Sequence, residues 1–306
     1  MTTTEPLPEG NPVDVSIAGQ AEMARSQALF QPSPPDGIYQ VSASLLDEAE
    51  AVFQMHTGGA LPAMDAVRAE PFSGLRDHAL GWAVARLRDR IASDAWTCME
   101  DAPTSNAVTH VAAFLHFVTT WSRHPLFPAM MATAAERGFS LHGLAPYAAA
   151  HCMMMMGNQI TFPEPQGYPG RIEDFLLATK AGPVDVHFET FDRFEYPFGQ
   201  TWDHALLRAA VTEVMSAAQS RINLRNPGAL ILSPGTALNG FDEALIAAIK
   251  EAMLTLGRRN RGLMAVAPVV LRLQGLQDPR AIRFGYGCFP TLNKHYRVDT
   301  SMRTGG

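Results

Sequence analysis

A long apolar stretch rich in histidine, from Asn106 to Gly157, constrains the fold more than any other part of the chain. Its histidines lie in segments of helical period, and the last one precedes a cysteine and four consecutive methionines: His110, His116, His124, His142 and His151. A buried imidazole needs hydrogen-bond partners for its ring nitrogens. The stretch therefore predicts either a core with unusually many hydrogen-bonded histidines or a pocket for a large, flat ligand that carries a metal.

Composition excludes several classes of protein. The chain has 306 residues, 47% of them apolar, which is enough for a substantial core. A net charge of −6 gives no basic surface for nucleic-acid phosphates. Three scattered cysteines form no CxxC pair and cannot build a disulfide framework. We find no signal segment and no apolar run of membrane-spanning length, so we expect a cytoplasmic protein without a membrane partner.

The order of helix and turn signals predicts a mainly α protein, a helical bundle with a small extended or β portion near the C-terminus. Residues 1–37, rich in Pro, Gly, Ser and Thr, predict a flexible N-terminal arm, and residues 38–306 a single helical domain. Helices are expected after Ser42, from Ser73 to Ile91, and then in the central and C-terminal segments: 106–123, 126–136, 144–156, 171–179, 202–221 and 241–256. Extended segments are expected at 264–273 and 282–288.

One segment, Val184 to Tyr196, allows two interpretations. Alternating Asp185, His187 and Glu189 suit a strand, whereas Pro183 at a first helical position suits a helix. On a strand, His187 and Glu189 would share a face and could begin a metal site for non-haem iron, completed by a distant histidine. A solvated strand edge is the simpler explanation of the same pattern.

Two histidines lie on helical faces made of small residues. His78 has Gly74, Gly81 and Trp82 as its helical neighbours, and His116 is surrounded by alanine and threonine. Small side chains beside an imidazole leave room for a flat molecule against the helix. Close helix–helix packing through the same small residues explains the pattern equally simply, so the sequence leaves both explanations open.

His204 lies near the start of a predicted helix, three residues after Thr201 and next to Trp202. A neutral imidazole there could be a ligand for a transition metal. It could equally help to cap the helix beside Thr201.

The segments around His78 and His204 resemble the tryptophan-dioxygenase superfamily of helical haem proteins. The resemblance rests on His78-Ala79-Leu80-Gly81-Trp82 early in the chain and on Trp202-Asp203-His204 before an apolar helix. It implies that His78 is the distal residue over a haem and that His204 is the proximal iron ligand. The Gly- and Thr-rich loop of that family is replaced here by Ser233-Pro234-Gly235-Thr236, which favours the bacterial branch similar to haem-dependent tyrosine hydroxylases.

The resemblance therefore implies a haem-dependent oxygenase that hydroxylates an aromatic amino acid, L-tyrosine in the first instance, in a natural-product pathway. Its cofactor would be heme b and its oxidant O2 or H2O2. His78 and His116 would be catalytic, His204, Trp82 and Trp202 would hold the cofactor, and His187 would be the second choice of metal ligand. Arg208 and Arg225 are candidates to bind the substrate carboxylate.

Two other functions fit the same sequence. The first is a non-haem iron oxygenase that uses His187 and Glu189. The second is a non-enzymatic helical scaffold or binding protein whose histidines satisfy hydrogen bonds in the core. With any of these functions, the leading one included, the chain could form a homo-oligomer.

Overall fold

The computed structural model describes most of the chain, in segments: residues 31–32, 37–64, 73–93, 102–162, 174–179, 182–190, 203–218, 222, 228–233 and 241–297. Helices in these segments are α1 (Ala43–Thr57), α2 (Ser73–Ala92), α3 (Ala102–Trp121), α4 (Phe127–Glu136), α5 (Leu141–Met155), α6 (His204–Ala218) and α7 (Phe241–Arg259). Strands are β1 (Gln31–Pro32), β2 (Ile38–Gln40), β3 (Gln159–Thr161), β4 (Phe175–Thr179), β5 (Gly182–Thr190), β6 (Gly228–Ser233), β7 (Leu263–Gly275), β8 (Ala281–Cys288) and β9 (Thr291–Leu292).

The strands in the described segments form one mixed sheet, with the order β1-β8-β7-β6-β5-β4-β3. Two short strands lie off this path, because β2 pairs with β8 and β9 pairs with β7. The central strands β5, β6 and β7 are parallel, and the flanking pairs are antiparallel. The prediction of a mainly α bundle with a small β portion was therefore wrong, because the protein has a sheet-containing α/β fold.

The physical reason for this error is that the central strands are covered on both faces. Strand β6 is almost entirely buried, so its apolar residues form a continuous run without the alternation that marks a half-exposed strand. Strand β4 lies where the sequence predicted a helix, and its alternating burial appears only once β5 pairs beside it.

Helices cover the sheet in two layers. Helices α1–α5 pack on one face and build the larger core, which includes Ile231 of β6. Helices α6 and α7 pack on the other face against Leu230 and Leu232. Each of these two helices connects one parallel strand to the next, as parallel pairing requires. A side chain of the sheet can therefore contact only the helical layer that covers the face to which it points.

Most of the predicted helices are confirmed, including the central ones that became α3, α4 and α5. Of the segment from Val184 to Tyr196, residues 184–190 belong to strand β5, as one of its two interpretations required, and residues 191–196 lie outside the described segments. Of the predicted N-terminal arm, Gln31 and Pro32 pair with Tyr286 and Gly285 of β8. Residues 1–30 and 33–36 lie outside the described segments, so the division into an arm and one domain stays a prediction.

Candidate functional site

His78 caps a helix from inside α2. Its backbone is extended (φ −157°, ψ 89°), which interrupts α2, and its Nδ1 accepts a hydrogen bond from the Gly81 N–H at 3.0 Å. An extended residue whose side chain binds the amide three residues later is the geometry of an N-cap. The ring packs against Phe53 and Phe139, with centroids 5.5 and 5.8 Å away. Burial lowers the pKa of His78.

The space beside Gly81 is filled by the chain itself. A Cβ at Gly81 would lie 2.7 Å from the Pro62 carbonyl oxygen and 3.0 Å from Met64 Cγ. Trp82 is buried and meets the ring of His110 edge-on. The small residue next to His78 therefore allows close packing of the chain, which is one of the two explanations that the sequence left open.

A histidine–tyrosine cluster, formed by His116, His151 and Tyr286, joins the helical layer to the sheet. His116 comes from α3, His151 from α5 and Tyr286 from β8. His151 Nδ1 and the Tyr286 hydroxyl form a hydrogen bond between residues far apart in sequence. The ring centroid of His116 lies 4.7 Å from that of Tyr286 and 5.4 Å from that of His151. Three side chains with titratable groups, those of His116, His151 and Tyr286, therefore lie in contact with one another.

The electrostatics of this cluster favour neutral groups. Burial, helped by the nearby His151, lowers the pKa of His116 to about 3. Burial also lowers the pKa of His151, which is only partly buried, and raises the pKa of the fully buried Tyr286. Strongly shifted pKa values that arise from burial and a specific neighbour are typical of functional sites. His151 is the member that solvent reaches.

Two members of this cluster were not predicted as site residues from the sequence. His151 was noted only beside the methionines, and Tyr286 was not named. The glycines on either side of Tyr286 were the available signal, because Gly285 and Gly287 flank one large aromatic side chain. A Cβ at Gly287 would lie 3.2 Å from the ring of Phe289.

A second long-range polar pair lies at the other end of α5. His142 Nδ1 and Ser233 Oγ are 3.2 Å apart, and both side chains are buried. Ser233 ends the parallel strand β6 and is paired with Thr190 at the end of β5. Ligands of α/β sheets bind beyond the carboxyl ends of the parallel strands. The pair lies at that edge, but its burial leaves no surface for a substrate among the described residues.

The side chain of His187 points to the face of the sheet opposite the α1–α5 layer. Those of Asp185 and Glu189 point the same way, as expected for alternating residues of a strand. His187 Nδ1 lies 3.4 Å from Asp174 Oδ2, and the other oxygen of Asp174 accepts the Phe188 N–H at 3.0 Å. His187 Nε2 is buried and has no hydrogen-bond partner. Within the described segments, no three His, Cys, Asp or Glu side chains converge as a metal site. The non-haem iron hypothesis stays a prediction.

His204 is exposed at the first residue of α6, in the layer that covers the other face of the sheet. The cap there is Asp203, whose carboxylate accepts the Ala205 and Leu206 N–H groups at 2.8 and 3.1 Å. Arg208 is also exposed and forms an ion pair with Glu251 of α7 at 3.1 Å. Trp202 and Arg225 lie outside the described residues.

The structure therefore brings His116 into a cluster but does not bring His204 together with His78 or His116. The sheet separates them, because His78 and His116 belong to the layer of α1–α5. A proximal and a distal residue must face each other across one haem. His78 and His204 do not fit that arrangement, although haem binding by the chain itself stays a prediction.

Comparisons of the chain with protein-family models, with curated proteins and with solved structures found no match. In the described part of the chain, no helix combines the length and the apolar character needed to cross a membrane. The functional proposal therefore rests on the geometry of the candidate site.

Proposed function

We propose that the chain is an enzyme that acts on a small aromatic molecule, and that His151 is its general base. The hydrogen bond between His151 and Tyr286 carries this proposal. This hydrogen bond fixes Nδ1 of His151, whose ring is only partly buried. Nε2 is left to interact with a substrate. The lowered pKa of His151 keeps the ring neutral, and so able to accept a proton, at pH 7.

In the proposed step, His151 Nδ1–H donates to the Tyr286 oxygen, and His151 Nε2 accepts the proton of a phenolic hydroxyl. The substrate O–H bond breaks, an N–H bond forms, and the substrate becomes a phenolate beside an imidazolium. Because burial favours the neutral form of His151, the attraction between these two charges must offset the cost of forming them. Tyr286 is a positioning residue, because its raised pKa keeps it a neutral phenol that does not take the proton itself. Tyr286 fixes the tautomer and the orientation of His151, as the residue that is hydrogen-bonded to the histidine does in a catalytic triad.

The surroundings of His151 support an aromatic substrate. The ring of Trp121 lies edge-on to His151 at 6.5 Å and to Phe162 at 5.5 Å. Phe284 lies 6.1 Å from His116. Aromatic rings stabilise one another in such edge-on arrangements. L-tyrosine, which has both a ring and a phenolic hydroxyl, is the first substrate that we propose to test.

A coloured phenol tests the base directly. We expect 4-nitrophenol to bind as its yellow phenolate at pH values where the free molecule is a colourless phenol. His151→Gln should remove this shift, and Tyr286→Phe should weaken it. His124→Gln is the matched control, because His124 is another partly buried histidine beside Trp121 but outside the cluster. If the wild type gives no shift, or if His151→Gln gives the same shift, the proposal is wrong. Calorimetry with L-tyrosine then tests the substrate.

Haem-dependent hydroxylation of an aromatic amino acid, in the cytoplasm and with O2 or H2O2, is the second proposal. It is supported by the resemblance and by His116, a neutral imidazole in an apolar layer, which is the form that binds iron. Adding heme b to the purified protein should give a Soret band. Loss of the band in His116→Ala but not in His204→Ala would assign the ligand to the cluster, and the reverse would restore the predicted His204. A protein that gives neither this band nor the nitrophenol shift fits the non-enzymatic alternative.

A further inference from the structure

We propose that Cys152 and Cys288 are a redox-active dithiol that hydrogen peroxide oxidises to a disulfide between α5 and β8. Cys152 of α5 and Cys288 of β8 lie on the two elements that the hydrogen bond between His151 and Tyr286 joins, and the two thiols interact electrostatically with each other. Both are free thiols in the structure and both are buried. Two cysteines that come from distant parts of the chain and meet in the core can be joined with little movement of the backbone.

The position of the pair makes oxidation possible in spite of its burial. Cys152 follows His151, the solvent-accessible member of the histidine–tyrosine cluster, and Cys288 is two residues after Tyr286. Because both thiols are buried, the proposal requires hydrogen peroxide, a small neutral molecule, to enter beside the partly exposed His151. A larger oxidant or an alkylating reagent should reach the pair far more slowly in the folded protein.

The two thiols have different roles in this chemistry. The hydrogen bond with Cys288 lowers the pKa of Cys152, and the same interaction together with burial raises the pKa of Cys288. We assign the attack on peroxide to Cys152, because it follows the solvent-accessible His151 in the chain. Its sulfur takes one oxygen to give a sulfenic acid, and the other oxygen leaves as water after protonation. Cys288 then attacks the sulfenic sulfur, the S–S bond forms, and a second water leaves. Two thiols lose two electrons and peroxide gains them.

The disulfide would tie the helical layer to the sheet beside the proposed base. It would hold α5 against β8 at the residues next to His151 and Tyr286. The inference does not depend on the catalytic role proposed for His151, because its test is the state of the two sulfur atoms. A result on the thiols and a result on the nitrophenol shift can therefore differ.

The experiment uses the full chain with Cys98→Ser, which leaves Cys152 and Cys288 as its only thiols. The folded protein is treated with hydrogen peroxide, denatured, alkylated with iodoacetamide and weighed by mass spectrometry. We expect the mass of a chain that has lost two hydrogen atoms and takes up no alkyl group. Peptide mapping without reductant should find the peptides of Cys152 and Cys288 joined, and dithiothreitol should reverse the change.

Variants with Cys98→Ser plus either Cys152→Ser or Cys288→Ala are the matched controls. Neither can form the intramolecular bond, so Cys152 should stop at a sulfenic acid that dimedone traps when Cys288 is absent. Oxidation should raise the Tm by on the order of 5 °C only when both cysteines are present. If the two thiols stay reduced in the folded protein, or join only after denaturation, the proposal is overturned. A bond found only between two chains overturns it as well.

Discussion

Replacing His78 tests whether this histidine acts through the helix that it caps. His78→Ala removes the hydrogen bond from Gly81 N–H to Nδ1, and loss of an N-cap costs about 1 kcal/mol. It also removes the ring contacts with Phe53 and Phe139, and aromatic contacts of this kind contribute about 1 kcal/mol. We therefore expect the free energy of unfolding to fall by roughly 2 kcal/mol.

The matched variant His78→Asn separates the two contributions. Asparagine is among the best N-cap residues, so the cap should survive and only the loss of the ring contacts should remain, about 1 kcal/mol. Urea-induced unfolding followed by circular dichroism measures both variants. If His78→Asn is destabilised as much as His78→Ala, the cap bond contributes nothing and our account of the break in α2 is refuted. Once an activity is known, a cap role predicts that His78→Asn keeps it, whereas the predicted distal acid–base role requires its loss.

Three further outcomes follow from contacts in the two cores. Burial lowers the pKa of His110 to about 4 and that of His116 to about 3, so their contribution to stability is complete above pH 6.5 and is lost progressively as the pH falls from 6.5 to about 4 and 3. The urea midpoint should therefore fall between pH 7 and pH 5, and an equally steep fall in His116→Gln would contradict this cause. Asn293→Ala should cost roughly 2–4 kcal/mol, because Asn293 Nδ2 donates to three carbonyl oxygens in a buried position. Gly257→Ala places a Cβ 2.4 Å from Asn293 Oδ1, and it should cost less in the Asn293→Ala background than in the wild type; equal costs in a double-mutant cycle would exclude this contact.

The helices could be predicted because their sequences show the period of one exposed and one buried face, or begin with a cap such as Ser42, whose hydroxyl accepts the Leu45 N–H. The sheet could not be predicted in the same way. Strand β6 is buried on both faces, so its mostly apolar run shows no alternation. Residues 264–273 and 282–288 were expected to be extended and lie in strands β7 and β8, but neither segment indicates which strands pair with it. Their pairing depends on the partners that lie beside them, and the partner of β8 at one edge is β2, hundreds of residues earlier in the chain. Local sequence carries no trace of such a pairing.

The candidate site shows the same division between local and distant information. His116 was named because its helical face is made of small residues, which is a local pattern. His151 and Tyr286 acquire their roles only through a hydrogen bond between residues 135 apart in sequence. His204 was named from a short motif, and such a motif contains no information about the side of the sheet on which its helix packs. The resemblance could therefore suggest which residues to consider, but it could not show which of them lie together in the folded protein.

Helix α5 explains why so many histidines lie in an apolar stretch. Its surface is mostly alanine, leucine and methionine, which can pack against a sheet in several registers with similar free energies. His142 bonds to Ser233 near one end of α5 and His151 bonds to Tyr286 near the other, about 13 Å apart along the helix axis. A shift of the helix by one residue would break both bonds between these buried or partly buried polar groups, and the loss of each bond would cost about 1–3 kcal/mol. Two polar contacts at opposite ends thus select one register, and with it the position of the base beside Tyr286. The histidines of this stretch therefore specify the fold first, and the proposed chemistry uses the one among them that solvent can still reach.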